Sequence, residues 1–126
     1  NVDQVNDFIE RADIDALAVA IGTAHGQYKT KPKLDIGRLA DIYKISKKPL
    51  VLHGGSGLSD QDFKNTILNG IRKVNICTEM CMAAHHAYTY AFNHQNTFEI
   101  ALQVAKTTVQ EVVKEKMRLF GSSGKA

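Results

Sequence analysis

Proline is scarce, with two in 126 residues, and cysteine is equally so. A chain of 44% hydrophobic and 23% charged residues is neither collagen-like nor a disordered tract, and two cysteines are too few for a disulfide scaffold. Long apolar runs are lacking too. The longest unbroken one, Ala16 to Ile21, is far short of the ~20 residues that span a bilayer. The opening NVDQVNDFIE intersperses polar residues where a secretory signal would carry a basic and then an apolar stretch. Charge of one sign is not in excess either. Sixteen basic against thirteen acidic residues leave +3, too mild a balance to argue for nucleic acid. Cys77 and Cys81 stand four apart at a strand-to-helix corner. A framework disulfide would staple distant segments, so both are expected as reduced thiols in a cytoplasmic protein, with no membrane partner.

What is present is an alternation of helical and strand patterns in a length that allows one domain, residues 1–126. Val2, Val5, Phe8 and Ile9 share one helical face in the segment Val2 to Arg11. Ala16 to Ile21 is continuous and apolar, as a strand covered on both faces of a parallel sheet would be. Asp35 caps a helix to Ile45, with Ile36, Leu39, Ile42, Tyr43 and Ile45 as inner-side candidates. Leu50 to Leu52 is a second strand. Ser59, with Asp62 three residues on, predicts a capping box opening a helix Asp60 to Leu68, with Phe63, Ile67 and Leu68 directed inward and Gly70 at its end. Lys73 to Ile76 is a third strand. A helix from about Thr78 to Phe92 carries Met80, Ala84, Tyr88 and Ala91 on one face; another, from about Phe98 to Leu119, aligns Val109, Val112, Val113, Met117 and Phe120. This order predicts an α/β fold with parallel strands. Three strands alone leave a sheet short of cover, which implies part of a larger α/β unit or a surface that docks on one.

The loops leaving the strand ends carry the chemistry. They contain Thr23-Ala24-His25-Gly26, His53-Gly54-Gly55-Ser56-Gly57 and Asn75-Ile76-Cys77-Thr78. The carboxyl ends of parallel strands face one way and form the usual ligand edge, and adjacent strands are about 4.8 Å apart. His25 and His53 each follow a strand, a placement that suits a first-row metal, zinc first among them. The alternative is two loop histidines bonded to backbone. Gly54, Gly55 and Ser56 can wrap an anion with converging N–H groups and a hydroxyl; a plain strand-to-helix turn reads the same way. Asn75 and Thr78 can donate to the same anion. Lys29 brings a positive charge or is simply solvated beside Lys31 and Lys33. His85, His86 and His94 read as solvated surface residues.

Three ordered segments, AVAIGTAHG (18–26), LVLHGGSG (50–57) and KVNICTE (73–79), together resemble the class II, zinc-dependent ketose-bisphosphate aldolases, and the closing EVVKEKMRLFGS (111–122) resembles the tagatose-bisphosphate branch. The resemblance implies the carboxyl-terminal part of a (β/α)8 TIM barrel: strands six, seven and eight plus terminal helices. It implies Zn2+ held by His25 and His53. Gly26, Lys29, Gly54, Gly55, Ser56, Asn75, Ile76, Cys77 and Thr78 would contact a sugar bisphosphate. The family's third zinc histidine and its catalytic aspartate lie in the amino-terminal half of the barrel, and no Asp-His-Gly motif occurs here. No catalytic residue is therefore expected in this chain, and the chain by itself is expected to be inactive. The implied reaction is reversible cleavage of fructose or tagatose 1,6-bisphosphate to dihydroxyacetone phosphate and glyceraldehyde 3-phosphate, with the amino-terminal half as partner. Relatives are commonly homo-oligomers. A Schiff-base route is disfavoured because no lysine lies within a buried strand run; Lys73 comes nearest. The rival readings are a lyase or isomerase of another sugar phosphate, and a structural or regulatory barrel fragment.

Overall fold

The apolar runs do pair as a parallel sheet. The computed structural model describes residues 2–26 and 28–125. The chain divides into two compact units, Asn1–Ile76 and Cys77–Ala126, and each is described by itself.

In the first unit a short 3-10 turn, Val2–Gln4, leads into α1 (Val5–Ala12), followed by β1 (Leu17–Ala18), α2 (Ile36–Ile45), β2 (Leu50–Leu52), α3 (Asp60–Leu68) and β3 (Ile71–Val74). The sheet order is β1-β2-β3, and both pairings are parallel. The central strand carries the core: Leu50, Val51 and Leu52 are all buried, against Ile21, Leu39, Ile42, Leu58, Phe63 and Ile71. A central parallel strand reads as an unbroken apolar run because both of its faces are covered.

β1 is shorter than its sequence suggests. Only Leu17 and Ala18 pair regularly, and Ala18 and Ala20 are exposed while Ile21 is buried. Past Ala18 the Val19 N–H still bonds the Val51 carbonyl at 3.3 Å, but the Ile21 carbonyl accepts from the Asp35 N–H at 2.8 Å, so the chain there bonds the start of α2 and not β2. Phe8, expected on the buried face of α1, is 53% exposed and lines an open cleft of about 300 Å³ with β1 and the two residues after it. Its helical neighbours Val5 and Ile9 are buried as expected. Tyr43 and Leu68, expected inward, are 44% and 78% exposed. Each lies at the margin of its helix's apolar stripe, and Arg72 stacks over Tyr43 instead of the core covering it.

The caps form as their chemistry dictates. Asp35 accepts from the Arg38 N–H at 2.9 Å at the start of α2. Ser59 and Asp62 exchange side-chain-to-backbone bonds at the start of α3. Past α3, Gly70 takes φ +106°, the left-handed value that glycine adopts without a Cβ penalty. β3 starts at Ile71, two residues before its expected start, so Asn75 and Ile76 already belong to the loop beyond it.

The second unit is a helix pair, α4 (Thr78–Asn93) and α5 (Phe98–Leu119). Ala91, Ala101 and Ala105 are its buried residues, small enough for close approach of the two backbones. Lys116 and Glu79 tie the helices with a 2.8 Å ion pair. On α5, Val109, Val112 and Phe120 are half-buried, whereas Val113 and Met117 of the expected face are 41% and 44% exposed. The buried contact moved toward the amino-terminal half of α5, where the alanines are. Among the described residues no helix is long and apolar enough to cross a membrane.

Candidate active site

The carboxyl edge of the sheet gathers the loops that follow its strands. His53 directly follows β2, whereas His25 lies well beyond the end of β1, on the loop that returns to α2. The two rings nonetheless meet edge to face, with centroids 5.5 Å apart and planes at 62°. Two imidazoles on one tetrahedral zinc, with Zn–N near 2.0–2.1 Å, place their centroids about 5 Å apart. The pair is therefore close enough to share one ion. His25 is exposed and His53 half-buried, so the pair opens toward solvent on the His25 side. Among the described residues no third histidine, cysteine or carboxylate joins them to make a group of three. The donor set fits two of the three protein ligands that a catalytic zinc takes.

Asn75 is fixed beside His53 by its backbone. Its N–H donates to the Leu52 carbonyl at 2.8 Å, and its own carbonyl accepts from the Gly55 N–H at 3.4 Å. The side-chain amide then sits 3.0 Å from Nε2 and 3.4 Å from Nδ1 of His53. An amide nitrogen only donates, so it takes the lone pair of whichever ring nitrogen is unprotonated. A metal at that nitrogen competes with Asn75 for the same lone pair. The Asn75 side-chain oxygen Oδ1 accepts from the Lys73 ammonium, which leaves Lys73 exposed and engaged at the rim.

The glycine loop has two roles that the sequence does not separate. Gly54 has φ +65°, and a Cβ there would lie 2.4 Å from the Ala24 carbonyl oxygen. Its lack of a side chain lets the loops that carry the two histidines abut. Gly55 is enclosed by side chains: a Cβ would come within 3.2–3.3 Å of Ile76, Val74 and Phe63 carbons. Gly54, Gly55 and Ser56 are buried and Gly57 is exposed. Gly57 lines an open cleft of about 450 Å³ with Tyr28, Lys29, Lys31, Ser59 and Asp62. Lys29 thus shares a cleft with the outer end of the glycine loop. Gly26, at φ +93°, has open space where a Cβ would stand.

Ile76 is half-buried at the end of the first unit. Cys77 and Thr78 open the second, Cys77 as the residue capping α4 and Thr78 as its first residue. Both cysteines are free and exposed, with sulfurs 3.9 Å apart. Cys77 raises the Cys81 thiol above its ordinary value through hydrogen bonding and its own developing charge. His85, His86 and His94 are exposed, as expected of solvated residues.

Tyr28 had no sequence signal. Its hydroxyl bonds to backbone on both histidine loops, accepting from Ala24 and donating to Gly54. Only the folded arrangement reveals it, because nothing in the spacing of a lone tyrosine points to a loop 26 residues away.

A model of the class II fructose-bisphosphate aldolases matches residues 1–125. YdjI of Escherichia coli K12 is 44% identical over 124 residues, covering 98% of this chain and 44% of its own. The crystal structure of that YdjI aldolase superposes with a TM-score of 0.89 at 40% identity, covering all of this chain and 46% of the other. The sulfofructosephosphate aldolase of Alkalicoccus urumqiensis is 42% identical over 122 residues, 94% of this chain and 42% of its own. A Coccidioides immitis protein provisionally described as a fructose-1,6-biphosphate aldolase superposes with a TM-score of 0.84 at 25% identity, covering 99% of this chain and 44% of that one. The α/β architecture, with its small parallel sheet, thus matches a piece of a larger barrel-type fold. The chain spans about half the length of the curated relatives it matches.

Proposed function

The chain belongs to the class II fructose-bisphosphate aldolase family, and from that premise we propose that it is the carboxyl-terminal part, strands six to eight, of a zinc-dependent aldolase barrel. The observation that carries the reading is the His25–His53 pair, two rings 5.5 Å apart beside a glycine loop at the carboxyl edge of a parallel sheet. The reaction is reversible aldol cleavage of a ketose 1,6-bisphosphate, giving dihydroxyacetone phosphate and glyceraldehyde 3-phosphate.

His25 and His53 would hold the ion. Zinc, when bound, supplies Lewis-acid polarisation of the substrate carbonyl. Gly26, Lys29, Gly54, Gly55, Ser56 and the run from Asn75 to Thr78 bind the phosphorylated end of the sugar. A substrate held by its phosphate presents its reacting carbon in one orientation, and this removes much of the entropic part of the barrier. The third metal ligand and the carboxylate that moves the proton come from the amino-terminal half of the barrel.

The test is a coupled assay of the full-length protein with fructose and tagatose 1,6-bisphosphate, before and after chelation. Cleavage that a chelator abolishes and zinc restores supports the reading. Activity untouched by chelator, with a covalent adduct trapped by borohydride, overturns it in favour of a lysine Schiff base. Because one relative is named for sulfofructosephosphate, that substrate forms a third arm. Preference for it over both bisphosphates would keep the aldolase chemistry and change the substrate.

A further inference from the structure

We propose that Tyr28 is a positioning residue whose hydroxyl sets the separation of the His25 and His53 imidazoles. The hydroxyl accepts the Ala24 N–H at 3.0 Å and donates to the Gly54 carbonyl at 2.8 Å. Ala24 immediately precedes His25, and Gly54 immediately follows His53. One oxygen atom therefore fixes the backbone next to each ring.

Two further contacts make the tie rigid. The Gly54 α-carbon abuts the Ala24 carbonyl, so the two loops touch where Tyr28 bridges them. The Tyr28 ring lies against Gly57, where a Cβ would come within 3.3 Å of its Cδ2. Tyr28 thereby holds both ends of the glycine loop, one through its hydroxyl and the other through its ring. The turn at Gly26, with φ +93°, lets the chain double back so that Tyr28 reaches Ala24 four residues earlier. Both bonds have ordinary lengths for a hydroxyl paired with backbone groups.

The brace follows from these contacts alone; its consequence for a metal rests on the reading of His25 and His53 as ligands. A metal tolerates little error in the spacing of its donors, and losing an outer contact that orients a ligand typically weakens binding 10–100-fold. Tyr28→Phe keeps the ring on Gly57 and deletes only the hydroxyl. Tyr43→Phe is the matched control, because the Tyr43 hydroxyl accepts from Arg72 at 3.0 Å away from the two histidines.

Two readouts on the full-length protein separate the brace from the metal reading. The first is the nuclear Overhauser contact between the His25 and His53 ring protons in selectively labelled protein without metal. The second is the zinc dissociation constant by chelator competition. We expect the ring contact in wild type and in Tyr43→Phe, and its loss in Tyr28→Phe. Zinc should bind the Tyr28→Phe protein about 10–100-fold more weakly, with kcat falling more than KM rises. A ring contact present in wild type and lost in Tyr28→Phe, in a protein that binds no zinc, would uphold the brace and overturn the metal reading; no ring contact in wild type overturns the brace. An unchanged ring contact with unchanged zinc affinity in Tyr28→Phe overturns the proposal.

Discussion

Replacing Gly54 by alanine would force two backbones apart at the centre of the candidate site. The added Cβ would stand 2.4 Å from the Ala24 carbonyl oxygen and 2.8 Å from its carbon. Carbon and oxygen in contact need about 3.3 Å, so the loops must separate by about 1 Å. Backbone is the obstacle, and it cannot swing aside as a side-chain tip would. The left-handed φ of +65° adds about 1–2 kcal/mol for any residue with a Cβ. Overpacking against a fixed neighbour contributes about 1–3 kcal/mol more. The expected loss is therefore about 2–5 kcal/mol, a large share of the 5–15 kcal/mol typical of a domain. Gly55→Ala is the internal control. Its neighbours are side-chain carbons at 3.2–3.3 Å and its φ is not in the left-handed range, so about 1 kcal/mol is expected. Urea unfolding followed by circular dichroism measures both. With an m-value near 2 kcal/mol/M, Gly54→Ala should lower the midpoint by about 1–2.5 M. A midpoint within error of wild type, or a greater loss from Gly55→Ala, would refute the argument that loop contact requires glycine at position 54.

Ser59→Ala removes one half of the capping box on α3, and urea unfolding should show a loss of about 1 kcal/mol. Cys77→Ala removes the group that raises the Cys81 thiol. The Cys81 pKa then falls toward its ordinary value, its thiolate fraction at mildly alkaline pH rises, and iodoacetamide should alkylate it faster than in wild type. Lys114 holds the Glu111 carboxyl below its ordinary value, by a 2.7 Å hydrogen bond first and by charge second. Any stability from this pair is present above the unfolded carboxyl pKa and is lost as pH falls through the lowered folded value. In Lys114→Met the Glu111 midpoint, read by NMR titration, should move up.

The central strand and the caps were legible because each is dictated locally. Leu50-Val51-Leu52 is apolar without alternation, and Asp35 and Ser59 sit where a helix needs side-chain acceptors. The margins were not. Phe8, Tyr43 and Leu68 match their helical periods, yet period fixes a direction and says nothing of what stands opposite. The end of β1 depends on the bond from the Asp35 N–H to the Ile21 carbonyl, which the strand segment itself does not encode. At the site, parallel pairing predicts that both histidine loops leave one edge of the sheet, but His25 lies well past β1 and its approach to His53 depends on contacts between the loops. The role of Gly54 in loop contact and the bonds of Tyr28 arise from segments far apart in sequence. A glycine run read as an anion cradle carries a packing demand as well. Asn75 likewise reads as a donor to substrate, and only the paired backbones put its amide on His53.

The most direct test is anomalous diffraction at the zinc edge from crystals of the full-length protein loaded with zinc. A single peak at the carboxyl edge of the sheet, with one nitrogen each of His25 and His53 at about 2.0–2.1 Å, is the predicted result. A fully loaded site elsewhere, with neither imidazole bound to metal, would contradict the account.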